Sequence, residues 1–269
     1  MEKMIGFIGG GNMASAIIGG IIKAELAGKD QVLASCKSRK SVERLQEQFG
    51  ICATTDNREV AAKADILFLA VKPNMFATVI PEIRDVVKEG QIIVSIAAGQ
   101  TIEAIEAAFG KEIKLIRVMP NTPALVGEAM SGISPNALIS PEELQEVIAI
   151  FESFGEAEVV PESMMDAVIG VSGSSPAYVY MFIEAMADAA VADGMPRAQA
   201  YKFAAQSVLG SAKMVLETGM HPGALKDAVC SPGGTTIEAV AKLEESGFRQ
   251  SVIAAQRACV QKSKDISEN

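Results

Sequence analysis

Three consecutive glycines, Gly9, Gly10 and Gly11, stand between an apolar run at residues 4–8 and a nearly uncharged helical stretch at residues 12–27. Together with Asn12, Met13 and Ala14 they form the pattern G-x-G-x-x-A. A strand that enters such a turn and leaves it directly as a helix opens a dinucleotide-binding unit. In that reading Ile8 ends the strand and Gly9 permits the tight turn. Gly11 lets the backbone approach a pyrophosphate, and Ala14 lets the helix pack close to its strand. Residues 5–22 are apolar enough to be weighed as a signal peptide or a membrane span. The glycine cluster breaks the apolar core that either segment needs, so no membrane contact is expected.

The rest of the first half repeats the alternation. Strands are expected at residues 31–36, 51–54, 65–71, 91–96 and 113–119, with a last one at 156–160. Helices are expected at 39–49, at 74–87 with Pro81 in its middle, and at 101–109 behind Thr101 as N-cap. The run DILFLAV at 65–71 is apolar almost throughout, as a strand covered on both faces must be. The implied fold class is α/β, with an N-terminal Rossmann-type doubly wound parallel sheet.

From residue 163 onward the strand pattern gives way to helices at 163–171, 176–193, 197–218, 236–245 and 248–267. We therefore expect a sheet domain at 1–162 and an all-helical domain at 163–269. Residues 176–193 hold only Glu184, Asp188 and Asp193 as charges. A helix that apolar is expected to be buried nearly all round. A domain of this size has too little interior to bury it alone, so a subunit interface is expected.

Net charge is −9 and the isoelectric point about 4.9, which argues against a nucleic-acid partner. The four cysteines (Cys36, Cys52, Cys230, Cys259) are far apart. They suggest neither a disulfide framework nor a zinc site, and we expect four small buried apolar residues, no metal, and a reducing, cytoplasmic setting.

The end of the second strand selects the cofactor. It reads Ser35-Cys36-Lys37-Ser38-Arg39-Lys40 and holds no acid for a ribose 2′-hydroxyl. Ser38, Arg39 and Lys40 suit a 2′-phosphate instead, so NADP (as NADPH) is preferred, with NAD possible. The other strand ends should line the same crevice: Ala70, Val71, Lys72 and Pro73; Ala97 and Ala98; and Asn121. Lys72 reads either as a catalytic cation or as a surface residue before a proline turn. Asn121 reads either as a partner for the nicotinamide amide or as the cap of its own turn.

Acid–base groups are scarce. His221 is the only histidine and precedes Pro222 in an expected surface turn. Lys202, Lys213, Tyr178 and Tyr180 form no cluster in the sequence. A protonated C=N accepts hydride without a strong general acid, so the pattern favours imine over carbonyl reduction. Near the C-terminus, Ser231, Gly233, Gly234, Thr235 and Thr236 start a helix without a lysine. Free N–H groups and small hydroxyls there suit a single carboxylate. A small anionic cyclic imine meets both conditions.

These residues resemble the pyrroline-5-carboxylate reductase family. The resemblance is carried by GFIGGGNMA, LFLAVKP (67–73), SIAAG (95–99), MPNTP (119–123), SGSSPAY (172–178) and HPGALKDAVCSPGGTTIEAVAKLE (221–244). It implies reduction of 1-pyrroline-5-carboxylate to L-proline with NAD(P)H, the last step of proline synthesis. It also implies a helical dimerisation domain, a homodimer at least, and larger rings up to a decamer. Gly9 to Ala14 would hold the pyrophosphate, Ser35 the adenosine side and Asn57 the adenosine ribose. Ala70 to Pro73, Ala97 and Ala98 would line the cofactor. Ser231, Gly234, Thr235 and Thr236 would bind the substrate, with Thr236 hydrogen-bonding or protonating its nitrogen. Ser175 and Thr235 depart from the commoner Gly and Ala of the family, which bears on fine specificity. The rival readings are a β-hydroxy-acid dehydrogenase, which wants a positioned lysine in a second Gly-rich motif, and a non-catalytic NADP-sensing protein, which has no use for SPGGTT.

Replacing Ser38, Arg39 and Lys40 together by alanine should weaken NADPH binding about tenfold more than NADH binding. Equal losses in parallel titrations would remove the 2′-phosphate from these residues.

Overall fold

The computed structural model describes residues 1–267. Strands β1 (Ile5–Ile8), β2 (Val32–Ser35), β3 (Cys52–Thr54), β4 (Ile66–Leu69), β5 (Ile92–Ser95), β6 (Lys114–Met119), β7 (Ala129–Pro135) and β8 (Gly155–Val159) form one sheet. Its order is β3-β2-β1-β4-β5-β6-β7-β8. The pairs from β3 to β6 are parallel, so Ile5 lies beside both Val32 and Ile66. β7 runs antiparallel to β6, with Val118 opposite Ile133, and β8 is parallel to β7.

Helices α1 (Asn12–Lys23), α2 (Arg39–Phe49), α3 (Asn57–Lys63), α4 (Phe76–Ile83), α5 (Ile102–Phe109) and α6 (Pro141–Glu152) cross between the strands. The period of two along β4 explains the layers. Ile66 and Phe68 point into one apolar cluster with Phe7, Ile17 and Phe151. Leu67 and Leu69 point into the other, with Ile80, Ile83 and Ile105. None of these four β4 residues has exposed surface. The continuous apolar run of the sequence is thus a strand buried on both faces, as parallel pairing with helices on either side requires.

The expected elements are found with shifted ends, and four further ones appear. α1 stops at Lys23 rather than residue 27, because Glu25 takes a left-handed φ of 54°. The expected helix 74–87 is a short 3-10 turn, Pro73–Met75, followed by α4. Thr101 caps α5, its Oγ1 accepting the Ala104 N–H at 3.1 Å. α3 was missed; Asp56 caps it by accepting the N–H groups of Arg58 and Glu59. So was α6, which opens on a capping box between Ser140 and Glu143. β7 was hidden by its own glycine, serines and proline.

Met1–Ser174 and the chain from Cys259 form one compact unit, and Ser175–Ala258 form a second. The first also holds α7 (Met165–Val168) and a π-helical turn, Ile169–Gly173. The second holds α8 (Ser175–Ala192), α9 (Arg197–Thr218), α10 (Pro222–Ala228) and α11 (Thr235–Glu245), and α12 (Phe248–Ser267) begins in it. His221 is not a plain turn residue. It is the N-cap of α10, its Nδ1 accepting the Gly223 N–H at 3.0 Å.

Two burial expectations are corrected. Only Cys36 is buried; Cys52 is exposed, and Cys230 and Cys259 are intermediate. All four are free thiols. α8 is not buried all round within the chain: Ala187 is its one buried residue, while Tyr180 and Met181 are 60% and 70% exposed. Its apolar faces exceed what a few neighbouring helices of one chain can cover.

Phe68 stacks on Phe7 at 4.6 Å between centroids and also meets Phe151 at 6.1 Å. Phe68→Ala should cost about 3–5 kcal/mol of stability, read from the urea midpoint. A change under about 1 kcal/mol would mean that this cluster repacks freely.

Candidate functional site

One candidate site is built where β1 turns into α1. Gly9 has a φ of +106°, and a Cβ there would lie 2.5 Å from the Ala70 carbonyl oxygen. A Cβ on Gly10 would lie 2.5 Å from Cys36 Sγ and 2.7 Å from Leu45 Cδ1. Gly11 differs: a Cβ there would meet nothing within 4 Å. Gly11 is also the N-cap of α1 and supplies no side-chain cap. The first N–H groups of α1 therefore face open space that the glycine keeps clear, which fits a pyrophosphate.

Arg44, absent from the sequence expectations, belongs to this cradle. Its Nη2 donates to the Gly10 carbonyl and its Nη1 to Ser15 Oγ at 3.3 Å. In a trans peptide the N–H points opposite to the carbonyl, so holding Gly10 O turns the Gly11 N–H the other way. Nothing in the one-dimensional pattern marks Arg44, because α2 brings it across from a different crossover. Burial pushes the Cys36 thiol up from its ordinary pKa, with Arg44 pulling partly against it. Beneath Gly10 it acts as a neutral spacer.

The remaining cofactor candidates distribute as follows. Ile8 is fully buried in the cluster on the sheet face away from α1, while buried Ala14 and half-buried Met13 belong to the cluster that α1 packs into. Asn12, Lys37, Ser38, Arg39 and Lys40 are exposed. Ser38 caps α2, its Oγ accepting the Ser41 N–H at 3.3 Å. Ser35 is fully buried and its Oγ–H donates to Asn57 Oδ1 at 2.7 Å. Ala70, Val71 and Pro73 are half-buried, Lys72 and Ala98 exposed, and Ala97 buried.

Asn121 is buried, and its amide is engaged at both ends. Nδ2 donates to the Ser172 carbonyl at 3.1 Å, and Oδ1 accepts the Met130 N–H at 3.0 Å. It fastens the end of β6 to β7 and to the π-helical turn. A nicotinamide could use only its second N–H or a remaining lone pair.

A second candidate site lies within the other unit, at the start of α11. Gly233 has a φ of +66°, and Gly234 is the N-cap, with no side-chain cap. A Cβ on Gly234 would sit 2.4 Å from Ser231 Oγ. The Gly234 N–H closes a turn onto the Ser231 carbonyl at 3.0 Å. Neither Thr235 Oγ1 nor Thr236 Oγ1 makes a hydrogen bond among the described residues. The result is a helix start with free N–H groups and two hydroxyls beside it, suited to one carboxylate.

The same unit carries an apolar groove of about 810 Å³ between α8 and the α11–α12 pair, lined by Met181, Phe182, Met186, Leu243, Phe248 and Val252 among others. Among the described residues no three His, Cys, Asp or Glu side chains could hold a metal ion, and no helix is long and apolar enough to cross a membrane.

Comparison with known proteins gives the family. Residues 162–266 match the family model described as pyrroline-5-carboxylate reductase dimerisation. Residues 4–99 match the one described as NADP oxidoreductase coenzyme F420-dependent. The chain is 58% identical to the pyrroline-5-carboxylate reductase of Escherichia coli over 269 residues, all of both chains. Among solved structures it resembles a pyrroline-5-carboxylate reductase from Coxiella burnetii, with a TM-score of 0.93 and 34% identity over all of both chains. It also resembles a Plasmodium falciparum pyrroline carboxylate reductase with NADP bound, with a TM-score of 0.90 and 33% identity over 99% of this chain and 98% of that one.

Gly9→Ala should lower the melting temperature, since the added strain amounts to about 1–3 kcal/mol. Gly11→Ala should melt like the parent yet bind NADPH about tenfold more weakly, because its methyl fills the cradle. Parent-like binding by Gly11→Ala would separate this turn from the pyrophosphate.

Proposed function

The chain belongs to the pyrroline-5-carboxylate reductase family, and on that premise we propose that it reduces 1-pyrroline-5-carboxylate to L-proline, the final step of proline biosynthesis. The observation that carries the reading is that one chain holds both a glycine cradle at Gly9–Ala14 and a lysine-free, uncapped helix start at Gly234. One suits a dinucleotide; the other suits a small carboxylate. NADPH, the preferred cofactor, supplies hydride from its nicotinamide ring.

In this proposal the N–H groups at the start of α11 bind the substrate carboxylate, together with Ser231, Gly233 and Thr235. The Thr236 hydroxyl hydrogen-bonds the ring nitrogen and delivers its proton, which is replaced from solvent. A protonated imine carbon is already electrophilic, so no stronger acid is required. The absence of an acid–base cluster in the sequence is consistent with this economy. Gly10 and Gly11 bind the pyrophosphate, with Arg44 fixing their peptide. Ser38, Arg39 and Lys40 face the 2′-phosphate, and Ala70 to Pro73, Ala97 and Ala98 form the crevice wall. Asn57 stands at the adenosine ribose. Asn121 braces the wall.

The functional division follows residues 1–162 for the cofactor and 163–269 for substrate and assembly. The groove beside α8 and the exposed Tyr180 and Met181 support a homodimer built through the helical half. We extend this to a ring of dimers, up to a decamer, working in the cytoplasm.

The test is NADPH oxidation followed by absorbance on adding 1-pyrroline-5-carboxylate, with proline identified as product. Thr236→Ala should lower kcat/KM for the imine about 10- to 100-fold with NADPH affinity nearly unchanged. A variant with parent-like kcat/KM would take Thr236 out of the reaction. A folded parent that binds NADPH and oxidises none would send the reading to its rivals.

A further inference from the structure

In this fold an acidic side chain at the end of the second strand takes the ribose 2′-hydroxyl, and its absence favours a 2′-phosphate. Residues 35–40 contain no acid. The tertiary structure brings one to the same place from elsewhere. Ser35, the last residue of β2, donates from Oγ to Asn57 Oδ1 at 2.7 Å. Asn57 Nδ2 in turn donates to Glu82 Oε2 at 2.9 Å. Arg58 Nη1 holds the Glu82 backbone carbonyl at 2.7 Å, which pins this last turn of α4. The Glu82 carboxylate thus stands one amide's width beyond the strand end.

The chain of bonds also fixes directions. The Asn57 amide has its oxygen turned inward to the buried Ser35 and its nitrogen turned to Glu82. Because Ser35 has no exposed surface, contact with a ribose here falls to Asn57 and Glu82. Glu82 is exposed, and its Oε1 makes no hydrogen bond among the described residues. A carboxylate oxygen accepts from a hydroxyl and repels a phosphate dianion.

From this geometry, and resting on the dinucleotide reading above, we infer that Glu82 is a cofactor-specificity residue. It accepts a hydroxyl of the adenosine ribose of NADH and works against the 2′-phosphate of NADPH. The nucleotide preference is then a contest between two groups: Ser38, Arg39 and Lys40 for the 2′-phosphate, Glu82 against it. The chain should use NADH appreciably, although its second strand ends without an acid.

The experiment is direct titration of NADH and of NADPH, by nicotinamide fluorescence, on the parent, Glu82→Gln and Glu82→Ala. Neither substitution removes a buried group, and the Gln variant keeps an acceptor for Asn57 Nδ2. The expected result in both variants is an NADH Kd raised about fivefold. The NADPH Kd should fall about two- to fivefold. Kd values that stay put, or that move together for the two nucleotides, overturn the assignment. A parent that binds neither nucleotide overturns the dinucleotide reading along with it. A parent that binds both yet reduces no imine fails only the reaction, and the comparison between NADH and NADPH still decides the role of Glu82.

Discussion

Gly9 lies so close to the Ala70 carbonyl that a Cβ there would have only 2.5 Å. This contact brings the ends of β1 and β4 together beneath the first turn of α1. It sets how near α1 lies to the sheet, and so the direction of its free N–H groups. The packing of Ala14, Ile17 and Ile21 follows from it, since α1 can bury that face only at that distance. Gly10, pressed on Cys36 and Leu45, extends the constraint to α2 and to Arg44.

The same device recurs in the second unit, where the proposed ligand is a different anion. Gly234 is held by Ser231 as Gly9 is held by Ala70, and again a helix begins without a side-chain cap. An uncapped helix start is a local cost in stability. In the proposed function two such starts, each beside a glycine pressed on its neighbours, are where the anions bind. The difference between them is the surroundings. Arg44 stands by the first and cations follow β2, which suits the several negative charges of the proposed dinucleotide. Two threonine hydroxyls accompany the second, which suits the single carboxylate and ring nitrogen of the proposed substrate.

Much of this was legible in the sequence because the signals are local. Gly9 to Ala14 between a strand and a helix, the two-faced burial of residues 66–69 and the Thr101 cap are each set within a few neighbouring residues. The misses have physical reasons. β7 has weak strand residues and is held by pairing with β6 and β8, which a local reading does not see. α3 has only seven residues, too few for a periodic pattern to stand out. α8 was expected to be buried because its composition is apolar, but burial depends on what neighbours exist, and within the chain Tyr180 and Met181 remain in the open.

The sequence by itself determined the alternation of strands and helices, the two glycine turns and the poverty of acid–base groups, because backbone conformation and residue chemistry are local properties. Only the tertiary structure decided which distant side chains share a place. It brought Arg44 to Gly10, turned the Asn121 amide to Ser172 and Met130, and set Glu82 beside Asn57 at the end of β2. Those pairs are 34, 51, 9 and 25 residues apart in the chain. Their meeting is fixed by the crossovers of the sheet, which no spacing along the sequence encodes.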